Sequence, residues 1–225
     1  MANIAIHGFG RIGRSLMKVA LKQGLFVPVS ISDIKDISTL AALFEVDSNY
    51  GRWTEDVRAK DTCFVIGGRE IPYFDSVKGL PNWRALGVDV VIDCTGRATT
   101  RSGAQAHLDA GAKHVLVSAP SKTQEDCDAV LLPGINVEKF DAKKHKIVSM
   151  ASCTTNALAP VVKVVIENFG IRSGLFSTIH AYTNTQSLTD QPMKDRRDSW
   201  LRPRTSSHLR LAQRVLFPSS GQASR

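Results

Sequence analysis

The apolar positions of the chain fall into short runs separated by helical patterns. Residues 4–7 (IAIH) form the first run, and it breaks at Gly8, Gly10 and Gly13. Ile12, Leu16, Val19 and Ala20 then recur at helical spacing, which predicts a helix burying that face, with Gly24 as its stop. A second run, FVPVSIS, predicts a strand that ends in Asp33. ISTLAALFEVDS reads as a helix, CFVIGG and REIPYF as a hairpin around Gly67-Gly68, and NWRALG as a helical turn. Residues 88–96 (VDVVIDCTG) are apolar almost throughout, as expected of a strand covered on both faces. SGAQAHLDAGA continues as a helix, and HVLVSAP, AVLLPGIN and KIVSMAS as strands. Strand, helix and strand repeated in this way predict an α/β fold with a doubly wound parallel sheet, a Rossmann-type domain over residues 1–151.

The pattern changes after residue 151. An apolar strand delivers SCTTN to a helical run, TTNALAPVVKVVIENFG. Pro160 lies inside that run, so either the helix is kinked there or its regular part begins near Pro160. GLFSTIHAYTN predicts a further strand with His180 at its end. Residues 152–200 thus read as the start of a second, α+β domain. Residues 201–225 show no clear periodicity and are expected to be disordered.

Composition narrows the function. A hydrophobic content of 43% is that of a globular chain with a sizeable core. No apolar run is long enough for a transmembrane helix, and MANIAIHGFGRIGRS reads as the start of a fold rather than a signal peptide. The net charge of +8 suggests nucleic acid, but five arginines and no acid crowd into residues 201–225. The excess therefore belongs largely to that segment, and nucleic-acid binding is not expected. Cys63, Cys94, Cys127 and Cys153 show neither CxxC spacing nor a Cys/His ligand pattern, so neither disulfides nor a metal site is expected, and a cytoplasmic setting fits.

Two constellations carry chemistry. Gly8, Gly10 and Gly13 follow a strand, open a helix, and precede an acid, Asp33, at the end of the next strand. That set is the dinucleotide-binding fingerprint. The glycines admit a pyrophosphate to the helix N-terminus, and an acid at Asp33 bonds ribose hydroxyls and favours NAD over NADP. Thr95, Gly96 and Ser118 sit where the sheet's C-terminal edge would meet a cofactor, though ordinary turn chemistry explains them equally. The second constellation is Cys153 at a strand-to-helix junction, where unpaired N–H groups and the helix dipole favour a thiolate. His180 is a natural base for it. Taken on spacing alone, the more usual reading of the two is a small buried thiol and a satisfied polar side chain.

GFGRIGR at 8–14, ASCTTN at 151–156 and HAYTNTQ at 180–186 resemble phosphorylating glyceraldehyde-3-phosphate dehydrogenase. SAP at 118–120, PGIN at 133–136 and DQPMKDRR at 190–197 follow in the family's order. The resemblance covers residues 2 to about 200. It implies that Cys153 attacks the aldehyde, that His180 activates it, and that phosphate releases the thioester. It implies cofactor contacts from Arg11, Ile12, Asp33 and Ser118, and substrate or phosphate contacts from Ser152, Cys153, Thr154, Thr183 and Arg197. It also implies NAD as cofactor, glyceraldehyde 3-phosphate and inorganic phosphate as substrates, and a homotetramer whose assembly a shortened catalytic domain would compromise. Erythrose-4-phosphate dehydrogenase and a non-catalytic NAD-binding remnant are the alternatives. The chain departs from the pattern at SKTQED after SAP, at Trp200, and throughout 201–225. Re-reading the codons one base earlier can spell a family-like AAAQDIIPSSTSAK across residues 200–214, so that segment is expected to be a frame-shifted reading of a C-terminally truncated chain.

Overall fold

The computed structural model describes residues 2–181, residue 183 and the backbone of residues 213–215. The chain divides into two compact units, residues 1–156 and 157–225.

The first unit opens with β1 (Ile4–His7), α1 (Arg11–Lys22), β2 (Ser30–Asp33) and α2 (Ile37–Glu45). A small hairpin, β3 (Val46–Asp47) and β4 (Gly51–Arg52), leads to β5 (Val57–Lys60), β6 (Cys63–Ile66) and β7 (Arg69–Asp75). After a turn come β8 (Val90–Asp93), α3 (Arg101–Asp109), β9 (His114–Val117), β10 (Ala129–Val130) and β11 (Ile147–Ser149). Nine strands form one sheet in the order β10-β11-β9-β8-β1-β2-β7-β6-β5. It is parallel from β10 to β7, and β6 and β5 extend it antiparallel. The chain leaves β1 for β2 on one side and later sets β8 on the other. This reversal opens a crevice at the C-terminal ends of β1 and β8, the place where doubly wound sheets bind ligands.

The doubly wound sheet, the β6–β7 hairpin and the strands at 4–7 and 90–93 agree with the sequence reading. The buried face of α1 does so only in part. Ala20 is buried and Leu16 packs on the core as expected, but Ile12 and Val19 are about half exposed, and Gly13 and Met17 take their place against the sheet. Close packing at Gly13 explains the rotation. A Cβ there would stand 2.1 Å from the Gly8 carbonyl oxygen, so this glycine, not Ile12, marks the line of nearest approach. Gly24 ends the helix as expected, at φ +64° with its N–H donating to the Leu21 carbonyl. Residues 82–87 make a hydrogen-bonded turn, Leu86 N–H donating to Asn82 and Gly87 N–H to Arg84. The strand expected in AVLLPGIN is only Ala129–Val130. Asn136 draws the rest into a loop, its side chain accepting from Leu132 N–H and donating to the Val130 carbonyl.

Two apolar clusters flank the sheet on the β1–β2–β7 side and the β9–β11 side, and a third gathers Ala5, Val88 and Val91 around Trp83. The SKTQED turn is tied to the start of α3. Arg101 N–H donates to Asp126 Oδ1 and Arg101 Nε to the Glu125 carbonyl, both at 2.8 Å.

The last helix among the described residues, α4 (Cys153–Phe169), runs without interruption through Pro160, so its regular part begins at the thiol and not at the proline. The second unit contains most of α4 and a two-stranded antiparallel sheet, β12 (Gly174–Phe176) with β13 (Gln213–Val215). The apolar run ahead of His180 is therefore strand only as far as Phe176, and His180 lies in irregular chain beyond it. Among the described residues no helix is long and apolar enough to cross a membrane.

Candidate active site

The crevice at the switch point has a volume of about 500 Å³ and is lined by both sides of the β1–α1 turn and the β8–α3 turn. Gly8 has φ +89°, and a Cβ on it would stand 2.7 Å from Thr95 N, so the two turns meet at a glycine. Gly10 has nothing within 4 Å of where its Cβ would be. It is the N-cap of α1, whose first intrahelical bond is Arg14 N–H to the Gly10 carbonyl at 3.1 Å. The N–H groups of Arg11, Ile12 and Gly13 therefore lack partners within the helix and present a site for an anion.

Asp33 ends β2 beside this turn. Its Oδ2 accepts from Phe9 N–H at 2.6 Å and its Oδ1 from Lys35 N–H at 3.0 Å. The carboxylate is thus locked to the glycine turn while still lining the crevice. Ser76 lines it too, with a buried hydroxyl that has no partner within the protein. An open glycine, a helix N-terminus, a fixed carboxylate and an orphaned hydroxyl fit a dinucleotide.

The structure brings Gly8, Gly10, Asp33 and Thr95 together around one crevice, with Gly96 beside Thr95, while Gly13 packs against the Gly8 carbonyl and does not line it. Thr95 is held by Asp93, whose Oδ1 accepts both its N–H at 3.0 Å and its hydroxyl at 2.7 Å. Gly96 follows at φ +70°. Ser118 is placed at the end of β9 by its N–H bond to the Asp93 carbonyl. The Arg11 guanidinium turns away from the glycines to Asp47, at 2.8 Å, so only its backbone faces the helix end. Ile12 lies exposed on the first turn.

Cys153 is the first residue of α4 and is exposed, whereas Cys127 is buried and Cys63 and Cys94 are half-buried. Burial pushes the Cys94 thiol up to about 12, so the thiol inside the crevice is held protonated. Ser152 caps the helix. Its hydroxyl accepts from Thr155 N–H at 3.0 Å and its carbonyl from Asn156 N–H at 2.9 Å. Asn156 closes the turn by donating from Nδ2 to the Met150 carbonyl. Ala151 enters the cap with φ +58°, the one non-glycine residue in the left-handed region among the described residues. Thr154 is half-buried on the first turn.

His180 falls in the second unit. Its Nδ1 meets the Ala181 carbonyl at 2.6 Å, and a carbonyl only accepts, so Nδ1 carries the proton and Nε2 of the neutral ring is the basic nitrogen. Thr183 is exposed, and Arg197 lies outside the described residues.

One group escaped the sequence reading. His7, Asp93 and His107 place their side-chain polar atoms within 4.8 Å of one another beneath the crevice. They come from β1, β8 and α3, and no local spacing links them. The signal was chemical instead: His7 and Asp93 are polar residues ending otherwise apolar strands at the switch point.

Family profiles match in two places. Residues 2–101 match the glyceraldehyde 3-phosphate dehydrogenase NAD-binding domain, and residues 152–216 match the C-terminal domain of the same family. The second match runs past Trp200 into the segment expected to be foreign to the family. The chain is 43% identical over 196 residues to glyceraldehyde-3-phosphate dehydrogenase of Geobacillus stearothermophilus, covering 86% of this chain and 57% of that protein. It is 44% identical over 194 residues to the Chlamydia pneumoniae protein of the same name, covering 85% and 57%. The chain thus spans little more than half the length of these relatives. On the glycine turn, the crevice and the capped thiol, together with these matches, the chain belongs to the glyceraldehyde-3-phosphate dehydrogenase family and carries its NAD-binding domain.

Proposed function

We propose that the protein oxidises and phosphorylates glyceraldehyde 3-phosphate, with NAD as hydride acceptor, through a covalent intermediate on Cys153. The observation that carries this reading is the position of Cys153, exposed at the first turn of a helix capped by Ser152, in a chain that also builds a dinucleotide crevice. A helix end favours an anionic sulfur. The sulfur attacks the aldehyde carbon, and the imidazole of His180, through Nε2, takes the thiol proton and then returns one to the developing alkoxide to give a thiohemiacetal. Gly8, Gly10, Gly13 and the first-turn N–H groups of α1 would hold the pyrophosphate of NAD, Asp33 would hold its ribose, and Thr95, Gly96 and Ser118 would flank the rest. Bound there, NAD would supply the hydride acceptor for oxidation of the Cys153-bound thiohemiacetal to a thioester. His180 accepts the hydroxyl proton in that oxidation. Inorganic phosphate then attacks the thioester carbonyl, the C–S bond breaks, and the acyl phosphate leaves with Cys153 restored as thiolate. Ser152, Thr154, Thr183 and Arg197 serve the two phosphate groups. The TNTQ context after His180 favours glyceraldehyde 3-phosphate over erythrose 4-phosphate, and a cytoplasmic location suits this chemistry.

A second reading rests on the crevice, which the first unit builds from its own residues while His180 falls in the second unit: it also suits a dinucleotide-binding protein without turnover. One assay separates the two. NADH formation is followed with glyceraldehyde 3-phosphate, NAD and phosphate, beside Cys153→Ser. Formation that disappears in the variant supports the enzyme. NAD binding with no NADH overturns it in favour of the second reading.

A further inference from the structure

Beneath the crevice, hydrogen bonds link a core tryptophan to the turn that meets the glycine loop. Trp83 is fully buried, and its Nε1–H, which can only donate, meets His107 Nδ1 at 3.1 Å. His107 Nδ1 is therefore an acceptor, and in the neutral ring Nε2 carries the proton. That Nε2–H donates to Asp93 Oδ2 at 3.1 Å, with both side chains 2% exposed. The other carboxylate oxygen, Oδ1, takes both donors of Thr95. Thr95 Oγ1 then accepts from Arg97 N–H at 3.0 Å. Each proton in this series has one direction, and the series begins at Trp83 and ends at the turn over which Gly8 has no room for a Cβ.

We propose that Trp83, His107 and Asp93 form a directed strut that sets the floor of the dinucleotide crevice, making His107 a positioning residue for the cofactor and not a metal ligand. The grouping of His7, Asp93 and His107 has the composition of a transition-metal site. Its wiring opposes one. A metal on His107 Nε2 would move the ring proton to Nδ1, where it would face the Trp83 N–H, donor against donor. His7 closes the side of the strut, its ring 4.9 Å from that of His107 and edge-on, with Nδ1 at 2.7 Å from Ser32 Oγ. Burial, with the neighbouring His107 second, lowers His7 to about 4, so His7 sets no positive charge beside the strut at neutral pH. Burial pushes the Asp93 carboxyl up, but the bonds from His107 and Thr95 outweigh it, and the group stays ionised. The inference rests on the crevice being the NAD site.

The test uses the full chain. Long-range proton–nitrogen correlation spectra should show His107 as the Nε2–H tautomer, and Trp83→Phe should release it to a mixture. NAD affinity, followed by titration, should fall about tenfold in His107→Leu, which leaves Asp93 short of a donor. It should return to within about threefold in His107→Gln, whose amide can accept from Trp83 and donate to Asp93. A folded His107→Leu with unchanged NAD affinity overturns the proposal, as does an Nδ1–H tautomer in the unchanged chain. Stoichiometric binding of zinc chloride that His107→Gln abolishes also overturns it. Failure of the unchanged chain to bind NAD at all would instead sink the assignment of the crevice.

Discussion

At the scale of single residues, the thiol turn stores its strain in one place. Ala151 adopts φ +58° immediately before the Ser152 cap, and it is 9% exposed. For an alanine the left-handed region costs about 1 kcal/mol, and for a β-branched residue considerably more. The conformation persists because both of its neighbours are fixed. Ser149 Oγ accepts the Ala151 N–H at 3.1 Å and donates to the Ala119 carbonyl at 2.9 Å, while Ser152 is bound into the cap. Strain of this kind gathers where a side chain must be aimed, and here the aimed side chain is Cys153. Ala151→Gly should change stability by less than about 1 kcal/mol, because relief of strain offsets the added chain entropy. Ala151→Val should cost about 2 kcal/mol and slow alkylation of Cys153. Urea unfolding and iodoacetamide kinetics check both, and a neutral valine would show that the turn is not left-handed.

At the scale of elements, α1 performs two jobs with two glycines, its N-cap Gly10 and Gly13, and the structure separates them. Gly13 is where the helix touches the β1 turn, since its missing Cβ would collide with a backbone oxygen that cannot move aside. Gly10 touches nothing within the protein. Gly13→Ala should therefore lower stability by about 1–3 kcal/mol and weaken NAD binding as the helix shifts. Gly10→Ala should leave the denaturation midpoint nearly unchanged and weaken NAD binding alone, because the space it fills is the one proposed for the pyrophosphate. Denaturation curves and NAD titrations of the two variants check the division. The contrast also shows how far the sequence was legible. The order of strand, glycine turn, helix, strand and acid could be read because each piece is local. The face α1 buries could not, because a glycine counts for nothing in an apolar periodicity yet decides the contact. The run ahead of His180 misled for a related reason: its apolar residues continue past the last backbone pair, Phe176 with Gln213, and only the partner strand says where pairing stops. The Trp83–His107–Asp93 chain was out of reach because its members are brought together by the sheet and not by spacing.

At the scale of the whole molecule, acid stability divides into two pH windows with different owners. Asp36 is held at about 2 by the Ser38 hydroxyl and the Thr39 N–H, and Asp47, Asp89, Asp126 and Asp128 are also lowered. A carboxyl lowered in the folded state contributes stability above its unfolded value near 3.8, and that contribution is lost only as the pH falls below it. His7 acts in a higher window. Its folded value of about 4 lies below the ordinary 6.5, so between those limits the unfolded chain takes up a proton that the folded chain refuses. The unfolded state then binds more protons, and stability falls with falling pH from about 6.5 until His7 is itself protonated near 4. The span corresponds to a loss on the order of 3 kcal/mol from this one buried ring. Lowering the pH from 7.5 to 4.5 should therefore depress the urea midpoint of the unchanged protein well before the carboxylates titrate. His7→Asn, which does not titrate, should lose about half as much or less over that interval while losing as much as the parent below pH 3.5. Parallel descent of the two proteins between pH 6.5 and 4.5 would mean that His7 is not the neutral ring the crevice floor requires.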